Sequence, residues 1–203
     1  MDITNDLLWM IGGPQGSGVD SSATLFARAM AGAGLWVFGK REYHSNIMGE
    51  HSYFQVRVRD VPVHSHIDPV HILTTFEATT AEIHAHEIIP GGALVYDPSQ
   101  VKLDGLAFQP EVLKVPLSYN SILSELAKET GQDQSKMAIM KNVIAVAASL
   151  ALLKLDFSYV QKALEGTFTG RRARLVGQNV AVARKAFEAI PQEAVNKIGR
   201  AHV

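Results

Sequence analysis

Short apolar runs alternate with stretches of helical period over the first half of the chain. The run LLWMIG, Leu7–Gly12, holds no charged residue and predicts a buried strand. A glycine turn follows, and Val19–Ala33 places small and apolar residues at helical spacing. LWVFG, Leu35–Gly39, predicts a second strand that closes a strand–helix–strand unit, and the polar stretch KREYHSNIMGEH reads as a loop. In SYFQVRVRD, Phe54, Val56 and Val58 alternate with Tyr53, Gln55, Arg57 and Arg59. That alternation predicts a half-exposed antiparallel strand, and so a mixed sheet. VHILTTF and GALVYD predict two more buried strands, with a helix over about Glu77–Ile88 between them and Pro90-Gly91-Gly92 as its stop.

After Asp97 the pattern changes. One short strand, EVLKVP, leads into helices over Ser118–Glu129, Ser135–Leu155, Phe157–Glu165 and Arg171–Ala189. Ala145, Ala147, Ala148 and Ala151 suit close packing against a neighbouring helix. The longest apolar stretch, MAIMKNVIAVAASLALLKL, is interrupted by Lys141, Asn142 and Lys154, and predicts a buried helix rather than a membrane span. The expected fold is α/β and doubly wound: a mostly parallel mixed sheet, helices on both faces, and a C-terminal helical subdomain. Residues 1–190 read as one domain, its α/β part about 7–117 and its helical part about 118–190. The remainder, 191–203, reads as a tail or a truncated connection.

Composition narrows the function. At 47% hydrophobic residues the chain can bury a sizeable core, which excludes a disordered segment. A formal charge of −1 gives no electrostatic reason to expect nucleic acid or a membrane surface as partner. No basic segment followed by an apolar one opens the chain, so a cytoplasmic location is expected. There is no cysteine, which removes disulfides, thiolate zinc sites, thiol nucleophiles and cysteine-held iron–sulfur clusters. Any electron transfer must therefore run through another chain.

The stretch IGGPQGSGV carries the strongest candidate chemistry. Strand, glycine turn and helix together form a cradle for phosphate groups. Against the P-loop pattern, Gly13 and Gly18 fit, but Val19 stands where a lysine must reach the phosphates. Against the dinucleotide pattern, Gly16-Ser17-Gly18 begins correctly, but Ser21 takes the place of the third glycine and no clean acidic residue ends the second strand. What survives is backbone: Gly13, Gly16 and Gly18 permit positive φ and close approach, and the N–H groups of Gly18, Val19 and Asp20 would face an anion. The bland alternative is a tight turn capped by Asp20 or Ser21, with no ligand.

Other constellations are weaker. His84 and His86 lie two apart in a predicted helix and cannot chelate, while His64 and His66 lack further ligands, so surface and loop histidines are expected. Glu77, Glu82 and Glu87 read as one solvated helix face. Arg171, Arg172 and Arg174 open a helix, the unfavourable end for cations, and read as a solvated turn or a partner contact. No Gly-x-Ser-x-Gly elbow is present.

Five stretches in order carry a family resemblance over about residues 8–190. IGGPQGSGV at 11–19, REYHSNIMGEHSYFQVRVRDVPVHS at 41–65, IIPGGALVYD at 88–97, KNVIAVAASLALLKLD, and FTGRRARLVGQNVAVARKAFE with Asn179 resemble the γ subunit or domain of 2-oxoacid:ferredoxin oxidoreductases. The resemblance implies a non-autonomous part of an enzyme that oxidatively decarboxylates a 2-oxoacid with coenzyme A and passes electrons to ferredoxin. Its Glu-Tyr form at Glu42-Tyr43 leans toward 2-oxoglutarate or broad 2-oxoacid enzymes, with pyruvate the other substrate type. Thiamine diphosphate and iron–sulfur clusters would belong to partner α/β-type and thiamine-binding subunits of an oligomer. This chain would help bind coenzyme A through Gly13, Gly16, Ser17, Gly18 and Val19 of the first loop and Ser45, Asn46, Gly49 and His51 of the second, with no catalytic or metal-ligating residue of its own. Where the family has Ile-Arg-Gly-Gly-His, this chain has Ile47-Met48-Gly49-Glu50-His51, and Gln15 replaces a small residue. The alternatives are a free-standing dinucleotide-binding oxidoreductase and a non-catalytic assembly module with a decayed ligand site.

Overall fold

A computed structural model describes residues 6–43, 50–131 and 133–198. Strand β1 (Asp6–Pro14) sits inside a six-stranded sheet of order β2-β3-β1-β4-β5-β6. Its neighbours are β3 (His51–Arg59), antiparallel, and β4 (Val70–Thr75), parallel. Strands β5 (Ile88–Tyr96) and β6 (Leu113–Pro116) continue the sheet in parallel, while β2 (Trp36–Tyr43) forms the other edge, antiparallel to β3. The sheet is mixed and mostly parallel, as the apolar pattern predicts. One detail differs. β1 and β2 are linked through helix α1 (Val19–Gly32), but β3 is inserted between them, so the predicted strand–helix–strand unit does not pair its own strands.

Alternation along β1 splits the core into two layers. Leu7, Trp9 and Ile11 face one side, with α1 and most of the C-terminal helices. Leu8 and Met10 face the other, with Ala81 of α2 (Ala78–His84) and the segment around Val101 and Val112. On the larger side Trp9 stacks on Phe26 of α1, ring centroids 4.2 Å apart, and its indole N–H donates to Thr74 Oγ1 at 3.1 Å. Helix α4 (Lys141–Leu152) is buried from Val143 to Leu152, and its alanines let neighbouring helices approach closely. It packs with α1, with α5 (Phe157–Thr167) and with α6 (Val176–Glu188). Helix α3 (Tyr119–Thr130) starts on a Ser118 cap that accepts from Ser121 N and ends on Gly131 in the left-handed region. No helix among the described residues is long and apolar enough to cross a membrane.

Several boundaries differ from the sequence reading, each for a physical reason. β2 runs through Lys40–Tyr43 instead of stopping at Gly39, because an edge strand keeps one flank in water and tolerates charge there; Lys40 and Glu42 pair across 2.7 Å. The polar face of β3 is half exposed at Tyr53, Arg57 and Arg59, as expected, but Gln55 is buried, and Arg57 makes a two-pronged bond to Asp6 at 2.8 and 2.7 Å. The helix expected over Glu77–Ile88 ends at His84, with one 3-10 turn after it. Pro90-Gly91-Gly92 then lies inside β5, not at a helix stop. The register slips there, from Val70 opposite Ile88 to Ile72 opposite Ala93, and a side chain on Gly92 would come within 2.7 Å of the His71 carbonyl. The helix predicted from Ser135 opens as a 3-10 segment, Gln134–Met140, before α4. Arg171, Arg172 and Arg174 likewise lie exposed in a 3-10 turn, Gly170–Leu175, ahead of α6. In the stretch read as a tail, Gln192–Ile198 forms α7, which buries Ala194 and Val195.

Candidate functional site

The glycine loop emerges where β1 ends. Ser17 N donates to Pro14 O at 2.9 Å, which closes a tight turn, and Gly16 and Gly18 hold φ of 94° and 100°. Gly13 does not share that conformation. It is needed for space: a side chain there would come within 2.8 Å of Ser17 Oγ and 3.1 Å of the Phe76 ring. The start of β3 braces the loop from the side, since Gln15 N donates to Glu50 O at 2.7 Å and Ser52 Oγ to Gly13 O at 3.2 Å.

The N-cap of α1 is Gly18, which has no side chain to accept from the first helical N–H groups. Ser21 and Ser22 both donate their hydroxyls to Gly18 O, at 3.0 and 2.9 Å, one within the first turn and one across it. Asp20 is held instead by Arg41 of β2, at 3.0 Å. The Asp20 or Ser21 cap of the bland alternative is absent. Ser17 Oγ is buried with no hydrogen-bond partner among the described residues, the state of a hydroxyl whose partner is missing. Val19 turns its side chain into the core and offers the loop only its backbone. Positive-φ glycines, a helix N-terminus with glycine at its cap position and a buried hydroxyl with no partner among the described residues thus meet at the end of β1.

Sequence reasoning missed the contribution of α4. Asn142 places its amide against Gly18, in the space a side chain there would need, and its Nδ2 lies 3.5 Å from Ser21 Oγ. Next to it Lys141 lines a cavity of about 360 Å³ with Asn120, Leu123, Gln134 and Ser135. The available signal was the polar pair Lys141-Asn142 inside an otherwise apolar run.

Behind the loop lies a polar cluster that corrects the histidine reading. His51, His71 and His84 are buried rather than on the surface. His71 Nδ1 accepts from Leu8 N at 3.1 Å. His51 and His84 meet at 3.1 Å, Nε2 to Nε2, with Tyr53 packed on both rings. Glu77 and Glu87, read as a solvated face, are half-buried and lie against His51 and His84; only Glu82 of the three is exposed. Burial pushes the Glu77 carboxyl above the usual range. Thr75 Oγ1 positions Glu77 by accepting its N–H at 3.1 Å, and Thr80 packs on β1 at Gly12, where a side chain would collide with it. No set of three potential ligands among the described residues is arranged to hold a metal ion. The structure thus gathers Gly13, Gly16, Ser17, Gly18, Val19 and His51 at one end of β1. Ser45, Asn46 and Gly49 lie outside the described residues.

Comparison with known proteins follows the same outline. The family model for pyruvate ferredoxin/flavodoxin oxidoreductase matches residues 8–189. The chain is 30% identical, over 80% of its length, to subunit alpha of 2-oxoacid:ferredoxin oxidoreductase 1 from Sulfurisphaera tokodaii, and spans 31% of that relative. It spans about a third of the length of such curated relatives. Two solved structures share the fold. One is a 2-oxoglutarate:ferredoxin oxidoreductase from Magnetococcus marinus with 2-oxoglutarate, coenzyme A and succinyl-CoA bound, at TM-score 0.69 and 24% identity, covering 92% of this chain and 32% of that one. The other is a pyruvate oxidoreductase subunit from Thermotoga maritima, at TM-score 0.70 and 15% identity, covering 92% and 98%. A family match over nearly the whole chain, on a sheet whose first strand ends in the glycine loop, places this protein in the pyruvate ferredoxin/flavodoxin oxidoreductase family.

Proposed function

We propose that this chain is the coenzyme A-side, γ-type part of a 2-oxoacid:ferredoxin oxidoreductase, with its glycine loop holding the phosphate-bearing end of coenzyme A. The observation that carries the reading is the glycine-capped N-terminus of α1 beneath two positive-φ glycines, with Ser17 Oγ buried beside it and unpartnered among the described residues. Backbone donors recognise phosphate without a side-chain cation, so the Met48 departure does not remove the site. Asn142 adds an amide at the loop, and the next residue toward the N-terminus, Lys141, adds a cation to an open cavity of about 360 Å³. The bound coenzyme A and succinyl-CoA of the Magnetococcus marinus enzyme support this ligand.

Coenzyme A supplies the thiol that takes the acyl group left when the 2-oxoacid loses carbon dioxide. This chain's residues bind and orient. Gly16 and Gly18 let the backbone approach, Ser17 donates, and the first turn of α1 faces the negative charge. Decarboxylation on thiamine diphosphate and electron flow through iron–sulfur clusters to ferredoxin are assigned to partner subunits, so the chain alone has no turnover. The substrate is of the 2-oxoglutarate type, with pyruvate second. The dinucleotide reading is weaker, because β3 stands between the two strands that such a site would need as parallel neighbours. The test uses the assembled complex. Gly16→Val should raise KM for coenzyme A about tenfold or more and leave KM for the 2-oxoacid unchanged; equal changes in both, or none, would contradict the assignment.

A further inference from the structure

The proposed function makes no use of two buried imidazoles behind the loop. His51 Nε2 lies 3.1 Å from His84 Nε2. One nitrogen must carry the hydrogen and the other accept it, since two N–H groups cannot face each other at that separation. The outer nitrogens meet acids. His84 Nδ1 is 2.9 Å from Glu87 Oε1, and His51 Nδ1 is 3.4 Å from both Glu77 Oε1 and Thr80 Oγ1.

Counting hydrogens defines the states. When His84 donates Nδ1–H to Glu87, its Nε2 accepts the hydrogen of His51 Nε2. A neutral His51 then turns a bare Nδ1 toward the Glu77 carboxylate, and the one hydrogen of the Thr80 hydroxyl can go to either. One added proton turns His51 into an imidazolium that donates to Glu77. A second has no place, because it would put hydrogens on both facing Nε2 atoms. Tyr53 packs on both rings, with Lys40 and Glu42 of β2 acting on its phenol, and Glu82 acts on Glu77 from α2. The pair sits at the loop's back. His51 stands opposite Pro14, and the residues on either side of it bond to Gln15 N and Gly13 O.

We propose that His51 and His84 hold a single exchangeable proton between Glu77 and Glu87, and that an anion at the glycine loop draws this proton in. The second half rests on the loop being the anion site. A positive charge gained behind the loop favours an anion in front of it, and linkage makes the effect mutual. Binding is then tighter at low pH.

Imidazole ¹⁵N spectra of the unliganded chain from about pH 5 to 9 test the shared proton. Both rings should move together in one transition of one proton; two independent transitions, or none, would overturn it. Calorimetry with inorganic pyrophosphate at about pH 6 and 8 tests the coupling, comparing wild type with His84→Gln so that the ligand's own ionisation cancels. Wild-type affinity should change with pH on the order of threefold to tenfold more than the variant's, and equal changes would overturn the coupling. Glu87→Gln, at the half-exposed end of the relay, is the second variant and should flatten the pH dependence in the same direction. Absence of pyrophosphate binding in every protein would overturn the loop reading and the coupling with it, while the ring signals would still decide the shared proton.

Discussion

The side-chain amide of Asn142 lies where the first carbon of a side chain on Gly18 would have to stand. The contact locks the first turn of α4 to the loop between β1 and α1, so residues far apart in the chain build one surface. Two separate costs follow for Gly18→Ala. The φ of 100° is strained for any L side chain, at about 1–3 kcal/mol, and the methyl collides with the amide. Adding Asn142→Ala should recover the steric part and leave the backbone part. Denaturant unfolding of the four proteins measures both, and full recovery in the double variant would show that the backbone cost is absent.

Ser17→Ala should separate a binding hydroxyl from a structural one. The hydroxyl is buried without a partner, so its loss should leave the unliganded chain as stable as before, or slightly more so. Affinity for coenzyme A should fall about fivefold, the worth of one ordinary hydrogen bond of about 1 kcal/mol. A destabilised variant with unchanged affinity would make Ser17 a structural residue.

Thr74→Val tests the buried link between β1, β4 and α4. Ser149 Oγ donates to Ala145 O at 2.8 Å, so it accepts from Thr74, whose oxygen in turn accepts the Trp9 indole N–H. The near-isosteric valine strands that N–H in a dry core, at about 1–3 kcal/mol. Thermal unfolding followed by tryptophan fluorescence should show the loss; a neutral variant would mean the indole finds another acceptor.

Asp6 makes stability pH-dependent with a definite sign. The Arg57 guanidinium beside it holds its carboxyl below the usual carboxylate value. A group depressed in the folded state contributes stability above its unfolded pKa and loses it as pH falls through the folded one. Asp6→Asn should therefore cost about 1–3 kcal/mol at neutral pH, by the usual strength of charge-assisted bonds. The gap between variant and wild type should close below about pH 4. A gap independent of pH would assign the cost to packing.

The parts of this fold legible in the sequence were those governed by local periodicity. The buried strand at Leu7, the antiparallel β3 and the buried, mostly apolar α4 follow from apolar spacing alone. The insertion of β3 beside β1 was not legible, because pairing order is a tertiary choice that neither strand's pattern encodes. Pro90-Gly91-Gly92 looked like a helix stop because the same residues serve a bulge, and only the neighbouring carbonyl of His71 decides between them. At the site, positive φ at Gly16 and Gly18 follows from glycine chemistry. The Asn142 contact and the His51–His84 pair arise from residues distant in sequence, where spacing carries no signal.

Titration calorimetry of the chain with coenzyme A and with pantetheine, which lacks the phosphates, tests the central claim most directly. Coenzyme A should bind with a Kd at or below about 1 mM, a free energy of about −4 kcal/mol or better. Pantetheine should give no heat, and Gly16→Val, at an exposed turn position, should abolish binding while the unfolding transition persists. No heat at millimolar coenzyme A, or unchanged affinity in the valine variant, would contradict the assignment of the glycine loop as the phosphate site.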